Sequence, residues 1–347
     1  MKLATYQDGS REGQLVVVSR DLTSAHYATG IANRLQAVLD DWNFLSPQLQ
    51  DLSDDLNAGR TRHAFAFEPE RCMAPLPRPF AYLEGDAYVH RDELLQQAAG
   101  TSVAARKTPS LTRLGGSAML GPVDAVRLQR TGVSADFESG LAVVTGDIPA
   151  GCTPERGLEG IRLLMLAGGI ALRGPAPAEF DARPATSFGP VAVTTDELGA
   201  AWSRGRLAGV LQTTWNGRKV GLCEADADMA FHFGDLIARA ARHGRLVAGT
   251  IVGSGPASHR GTPREAGAEG KRVRRQDASG LEWPRGYGSI VEKRAIETLQ
   301  DGSAKTAWLQ AHDTVRIEMK GRDGQSIFGA IAQEVTFDDD GGAAAEA

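Results

Sequence analysis

The sequence predicts an α+β chain that is mainly β, closing into a sandwich or roll rather than a parallel α/β sheet. Two hairpin signals carry this expectation, and a shortage of helical segments completes it. Asn216-Gly217 stands between the strand-like runs Leu207–Thr214 and Arg218–Leu222. Both turn positions need positive φ, which Asn and Gly accept most readily. Gly321-Arg-Asp-Gly324 separates Thr314–Met319 from Gln325–Ile331 in the same way. Directly joined hairpins make antiparallel neighbours, and sheets built from them pack face to face or roll up.

The elements follow in order. Gln14-Leu-Val-Val-Val-Ser19 predicts a buried strand. Residues 23–42 predict a helix capped by Thr23 or Ser24, with Ala28, Ile31, Leu35, Val38 and Leu39 on one side. Met73-Ala-Pro-Leu-Pro-Arg-Pro79 holds three prolines, which excludes regular structure. It marks the boundary between a small N-terminal α/β domain, 1–75, and a larger domain, 80–335. Tyr88-Val-His90-Arg-Asp-Glu93 opens a short amphipathic helix reaching Ala98. A second helix runs from Pro154, capped by Thr153, to about Ala167. A third runs from Ala225 to His243 and is closed by Gly244. Residues 259–280, with Lys271-Arg-Val-Arg-Arg275, are expected to be a solvated loop; an anion-binding lid is the alternative. The acidic, apolar-poor tail 338–347 is expected to be disordered.

Composition narrows the function classes. At 347 residues, 42% hydrophobic and 23% charged, the chain has material for a full core. A net charge of −5 argues against a general nucleic-acid binder. Cys72, Cys152 and Cys223 are scattered and form no Cys-x-x-Cys, so they are expected to be reduced, in a cytoplasmic setting. No apolar run approaches the ~18 residues of a membrane span. There is no phosphate loop, no dinucleotide fingerprint, no Gly-x-Ser-x-Gly and no histidine pair with zinc-ligand spacing.

Several stretches together resemble the fumarylacetoacetate hydrolase superfamily, in its bacterial branch with an extra N-terminal domain. They are Met1–Ser19, His26-Tyr-Ala-Thr, Met73-Ala-Pro-Leu-Pro, Asp136–Asp147, Arg162–Arg173, Pro184–Val193, Thr214–Gly221, Gly286-Tyr287, Glu292–Thr298 and Ile317–Ile331. The resemblance implies a roll of mixed β-sheets, a small-molecule substrate, no membrane or nucleic-acid partner, and a homodimer. It also implies a hard-cation site, a Glu-x-Glu pair plus a later Asp, gripping a 1,3-dioxo substrate. Residues i and i+2 of a strand share a face, so such a pair aims two carboxylates at one point. Here Glu138 stands at the first position, but Gly140 replaces the second Glu and Gly169 replaces the Asp. Only a remnant metal site is expected, with Asp136 as a possible second ligand and an arginine partner for Glu138 as the alternative. No cofactor is expected, Mg or Mn entering only if metal chemistry persists.

The resemblance also supplies site candidates. His90 and Glu93, i and i+3 on one helix face, match a His–Glu catalytic dyad. Arg91 aligns with a His of the nearest branch. Arg183 stands where relatives carry a lysine; it keeps the charge but is a poor base. Arg173, Arg183, Ser254, Ser258 and Tyr287 are expected to bind substrate, with Pro256 where a Thr is usual. Glycine at 140, 168 and 169 is compatible with a pocket cleared for a larger substrate. Three functions stay open. The first is a repurposed enzyme of specialised metabolism doing acid–base chemistry on a carbonyl or carboxylate compound with little or no metal (decarboxylation, dehydration, isomerisation or cyclisation). The second is metal-dependent C–C hydrolysis of an acylpyruvate-like substrate. The third is a non-catalytic binding or scaffold homologue.

Overall fold

The computed structural model describes residues 1–102, 106–114, 118–129, 134–174, 183–260, 286, 288–321 and 323–338. The 259–280 loop beyond Arg260, Tyr287 and the tail beyond Asp338 lie outside the described residues.

The N-terminal region contributes β1 (Lys2–Tyr6), β2 (Gln14–Val18), β3 (Ser24–Tyr27), α1 (Leu35–Asp40), α2 (Trp42–Asn57) and β4 (Phe65–Ala66). The helix expected over 23–42 is therefore corrected. Ser24–Tyr27 pairs with β2, and Gly30 at φ +94° breaks the chain between Ala28 and Ile31. Leu35, Val38 and Leu39 do face the core from α1, where they join Leu3, Leu15 and Val17. The helical spacing was real but half of it belonged to a strand and a turn.

The larger region begins with β5 (Ala81–Gly85), α3 (Val89–Ala98), β6 (Leu111–Leu114), β7 (Ala118–Leu120) and β8 (Val126–Gln129). Then come β9 (Ser134–Thr145), α4 (Pro154–Glu159), β10 (Ile161–Arg173) and β11 (Ala185–Val193). The helix expected from Pro154 to Ala167 stops at Glu159, and Ile161 onward is strand. β10 is nearly all apolar because it is covered on both faces. A short run of that kind cannot be told from a buried helix by periodicity. Thr153 does cap α4, its Oγ1 accepting from the Arg156 amide at 3.4 Å.

The chain ends with β12 (Trp202–Ser203), β13 (Arg206–Leu207), β14 (Val210–Trp215), β15 (Arg218–Glu224), α5 (Phe233–Ala240), β16 (Thr250–Pro256), α6 (Ile290–Asp301), β17 (Thr314–Lys320) and β18 (Ser326–Asp338). The helix expected from Ala225 is shorter, because His232 and Asp235 form a reciprocal capping box that starts it at Phe233. The Asn216-Gly217 turn is present, with φ of 48° and 77°.

Two sheets dominate. An 11-stranded mixed sheet runs β4-β3-β2-β1-β11-β10-β9-β16-β5-β6, with β7 on β11. A five-stranded sheet runs β15-β14-β17-β18-β8. Ile317, Ile331 and Phe328 of the second pack with Phe137, Leu166 and Ile170 of the first. β1 pairs antiparallel with β11, so the N-terminal strands extend the main sheet across the proline-rich boundary rather than forming a separate one. No helix among the described residues is long and apolar enough to cross a membrane.

Candidate active site

The site forms on the face of β9 that carries Asp136, Glu138 and Gly140. In the β9–β10 register Glu138 stands opposite Gly169, Gly140 opposite Ala167 and Asp136 opposite Ala171. Directly opposed residues share a face, so an acid at 169 would lie beside Glu138. The positions at which the resemblance leads one to expect carboxylates thus lie together.

What fills the place is guanidinium. Arg91 of α3 donates to Glu138 Oε1 at 2.7 Å, Arg173 of β10 donates to the same oxygen, and Arg183, just before β11, forms an ion pair with Oε2. Glu138 is 2% exposed. Burial opposes its charge, but Arg183, Arg173 and Arg91 outweigh it and hold the carboxyl at about 2. Asp136 is also fully buried. It accepts from the amides of Ile290 (2.7 Å) and Val291 (3.3 Å) at the start of α6, and from Arg173 (3.2 Å). Burial pushes it up to about 7; Arg173 pulls the other way, and the Glu138 charge adds to the rise.

These donors do not fit a divalent cation. Both Glu138 oxygens face arginines, both Asp136 oxygens accept hydrogen bonds, and no group of three His, Cys, Asp or Glu side chains converges among the described residues. Asp136, the expected second ligand, is engaged instead by two backbone amides and Arg173. Nor can a longer side chain simply return at 140. A β-bulge in β16 places the Gly255 carbonyl well inside 3.0 Å of where a Cβ on Gly140 would lie.

The expectation of a cleared pocket is likewise corrected. A Cβ at Gly168 would meet Ile317 Cδ1 at 2.7 Å; only at Gly169 is the nearest atom, 3.5 Å away, in ordinary contact. The glycines admit neighbouring backbone and side chains. A narrow cleft of about 10 Å³ remains, lined by Tyr82, Glu84, Glu138, Arg183, Thr186 and Pro256 among others.

Among the described residues, His90 and Glu93 share no hydrogen bond, although the Glu93 charge acts on the His90 ring. Glu93 is bound by Arg260, while His90 is buried with Nε2 3.4 Å from Ser258 Oγ. On α3 His90 is buried and Glu93 only partly exposed. Ser258 in turn donates to Glu292, which also accepts from Ser289 at 2.6 Å. Burial lowers His90 to about 4, so the ring is neutral at pH 7. Ser254 and Ser258 are buried and engaged internally: Ser254 Oγ donates to Gly255 O and accepts from the Leu141 amide at 3.1 Å. Arg173 and Arg183, about a quarter exposed, are the predicted binding residues that line the site.

Sequence reasoning gave no role to Tyr82, Glu84 or Glu292, and marked Arg91 only as a substitution. Tyr82-x-Glu84 had a visible signal, two polar side chains at strand spacing. Glu292 had none beyond its place in a motif.

A family model described as fumarylacetoacetase N-terminal domain 2 matches residues 1–78, and one described as fumarylacetoacetate (FAA) hydrolase C-terminal matches 82–336. The chain belongs to the fumarylacetoacetate hydrolase family. Solved structures agree in fold. Maleylpyruvate hydrolase from Sphingobium sp. SYK-6, in complex with manganese (II) ion and pyruvate, is 17% identical with TM-score 0.62, covering 97% of this chain and 99% of that one. A probable 2-hydroxyhepta-2,4-diene-1,7-dioate isomerase from Mycobacterium abscessus is 16% identical with TM-score 0.63, covering 97% and 99%. Fumarylacetoacetate hydrolase from psychrophilic Exiguobacterium antarcticum is 17% identical with TM-score 0.60, covering 97% and 100%. A search of curated proteins gives no match.

Proposed function

We propose that this family member is an enzyme that moves protons on a 2-oxo or enolic acid without a divalent metal. The supporting observation is the trio Arg91, Arg173 and Arg183 around Glu138, where the family's pattern would gather carboxylates around a cation. Guanidinium groups supply fixed positive charge and paired donors for a carboxylate or an enolate oxygen. Arg173 and Arg183 are more exposed than Glu138, so an incoming anion meets them first. Isomerisation and decarboxylation need an enolate to be held and protonated, and both requirements can be met by arginines and a nearby acid. Hydrolytic C–C cleavage needs stronger carbonyl activation, and these donors do not fit the ion that would give it. His90, neutral and a weak base near 4, suits orientation better than proton abstraction.

The test uses pyruvate as probe, following loss of its methyl proton signal in D2O. Exchange that persists in EDTA and does not rise with Mn²⁺ is expected. Exchange seen only with added metal would return the chain to the metal-dependent hydrolases. The narrowness of the cleft favours one second reading, a non-catalytic binding homologue; absence of any exchange would select it.

A further inference from the structure

We propose that Glu84 is the proton-transferring group of this site, with Tyr82 and Arg183 as its positioning residues. The inference deepens the metal-free acid–base reading and rests on it.

Glu84 and Glu138 lie on adjacent walls of the same cleft and share one partner. Arg183 reaches Glu84 Oε1 with Nη1 at 3.6 Å and Glu138 Oε2 with Nη2. Two carboxylates bridged by one guanidinium form a set that can hold an anion and exchange a proton beside it. Their surroundings then separate their roles. Glu138 is locked by three arginines. Glu84 has one arginine at long range, and its other oxygen accepts from Tyr82 Oη, a neutral donor. Among the described residues, the charged and titratable groups that act on it are Arg183, Tyr82, Glu138 and Arg91. Burial raises Glu84 above the usual carboxylate range, with Arg183 and the Tyr82 hydroxyl opposing and Glu138 reinforcing, while Glu138 is held at about 2. Carboxyls pushed apart in this way divide the work, one staying ionised as an anchor and the other carrying the proton.

The local backbone is built around this pair. Tyr82 and Glu84 sit two apart on β5 and so share a face. β16 runs parallel beside them with Gly253 opposite Glu84. A Cβ at Gly253 would overlap Glu84 Oε2 and stand 2.9 Å from Tyr82 Oη. Glycine at 253 leaves space that the carboxyl and phenol occupy. Nothing in folding alone calls for a buried Tyr–Glu pair at the wall of a cleft, where an apolar pair would avoid the desolvation cost.

The step balances without a co-reactant. The Glu84 carboxylate takes a proton from the carbon next to the substrate carbonyl. The C–H electron pair becomes the enolate double bond, and the carbonyl π pair moves to the oxygen facing Arg183 and Arg173. The Glu84 carboxyl then returns a proton, or a deuteron from solvent, to carbon, and the pairs revert.

The experiment follows methyl exchange of pyruvate in D2O across pH for wild type, Glu84→Gln, Glu84→Asp and Tyr82→Phe. Glu84→Gln is expected to slow exchange by about 100-fold or more, in the range of a lost general base. Tyr82→Phe removes a donor to the charged carboxyl, so the rising limb of the pH profile moves to higher pH. Exchange by Glu84→Gln within about threefold of wild type, far short of that range, overturns the inference and leaves the metal-free reading standing. Should Glu84→Gln fail to fold, Glu84→Asp with wild-type rate and an unmoved limb overturns it equally. A wild type that exchanges nothing overturns both.

Discussion

Two buried carboxyls, Glu138 on β9 and Glu292 on α6, show what decides charge inside this fold. Both are at most 2% exposed. Glu138 is surrounded by three guanidiniums and is held ionised at about 2. Glu292 is met by the hydroxyls of Ser258 and Ser289, and burial raises it above the ordinary carboxyl range. Burial is common to both, so the partners make the difference. Around Glu138 the fold has spent arginines in direct contact to neutralise one anion; around Glu292 the direct partners are two hydroxyls, and Arg91 acts only without a direct contact.

The largest effect expected from this contrast is on stability. Glu138→Ala leaves three arginines without their shared anion and is expected to cost about 3–5 kcal/mol in urea unfolding. Glu292→Ala removes hydroxyl-bonded contacts and is expected to cost about 1–3 kcal/mol. Equal losses would mean that the arginine cage is no more than hydrogen bonding.

The pH dependence sharpens the same point. Glu138 falls from the ordinary 4.5 to about 2 in the fold, so its stabilisation is present above 4.5 and lost as pH drops toward 2. His90, lowered from 6.5 to about 4, makes stability rise with pH between those values, because the unfolded chain binds the proton more tightly. Asp136, raised from 3.8 to about 7, makes stability fall over nearly the same window. His90→Gln is therefore expected to expose a downward slope between about pH 4 and pH 7 in urea midpoints. A slope that remains flat or rises would show that Asp136 is ionised throughout.

Smaller effects separate the two replaced positions. Gly140→Ala drives a Cβ into the Gly255 carbonyl and is expected to cost about 1–3 kcal/mol. Gly169→Ala meets only an ordinary contact and is expected to change stability by less than about 1 kcal/mol. Combining Gly140→Glu with Gly169→Asp restores the family's acidic pattern but not its space. No Mn²⁺ uptake by calorimetry is expected, and tight uptake would show that the arginines move aside.

Much of this was legible in the chain itself. Asn216-Gly217 demanded a hairpin because few other residues accept positive φ twice. Thr153-Pro154 marked a helix start, and Glu138 with Gly140 and Gly169 raised the expectation of an altered metal site. The failures share one cause. Ile161–Ala167 and Ser24–Tyr27 carry spacings that fit helix or strand, and pairing with β9 and β2 made the choice. The partners of His90 and Glu93, Ser258 and Arg260, come from a segment far along the chain that spacing on α3 does not reveal.

The sequence by itself determined the family, the mainly β architecture and the glycines at 140 and 169 beside Glu138, because turn chemistry and residue identity are local facts. Only the tertiary structure decided that three arginines from three separate segments would close on Glu138. It alone placed Glu84 and Tyr82 on the wall of the cleft and pressed Gly255 against Gly140. Those contacts join residues far apart in the chain, and no periodicity encodes which distant charges will meet once water is excluded.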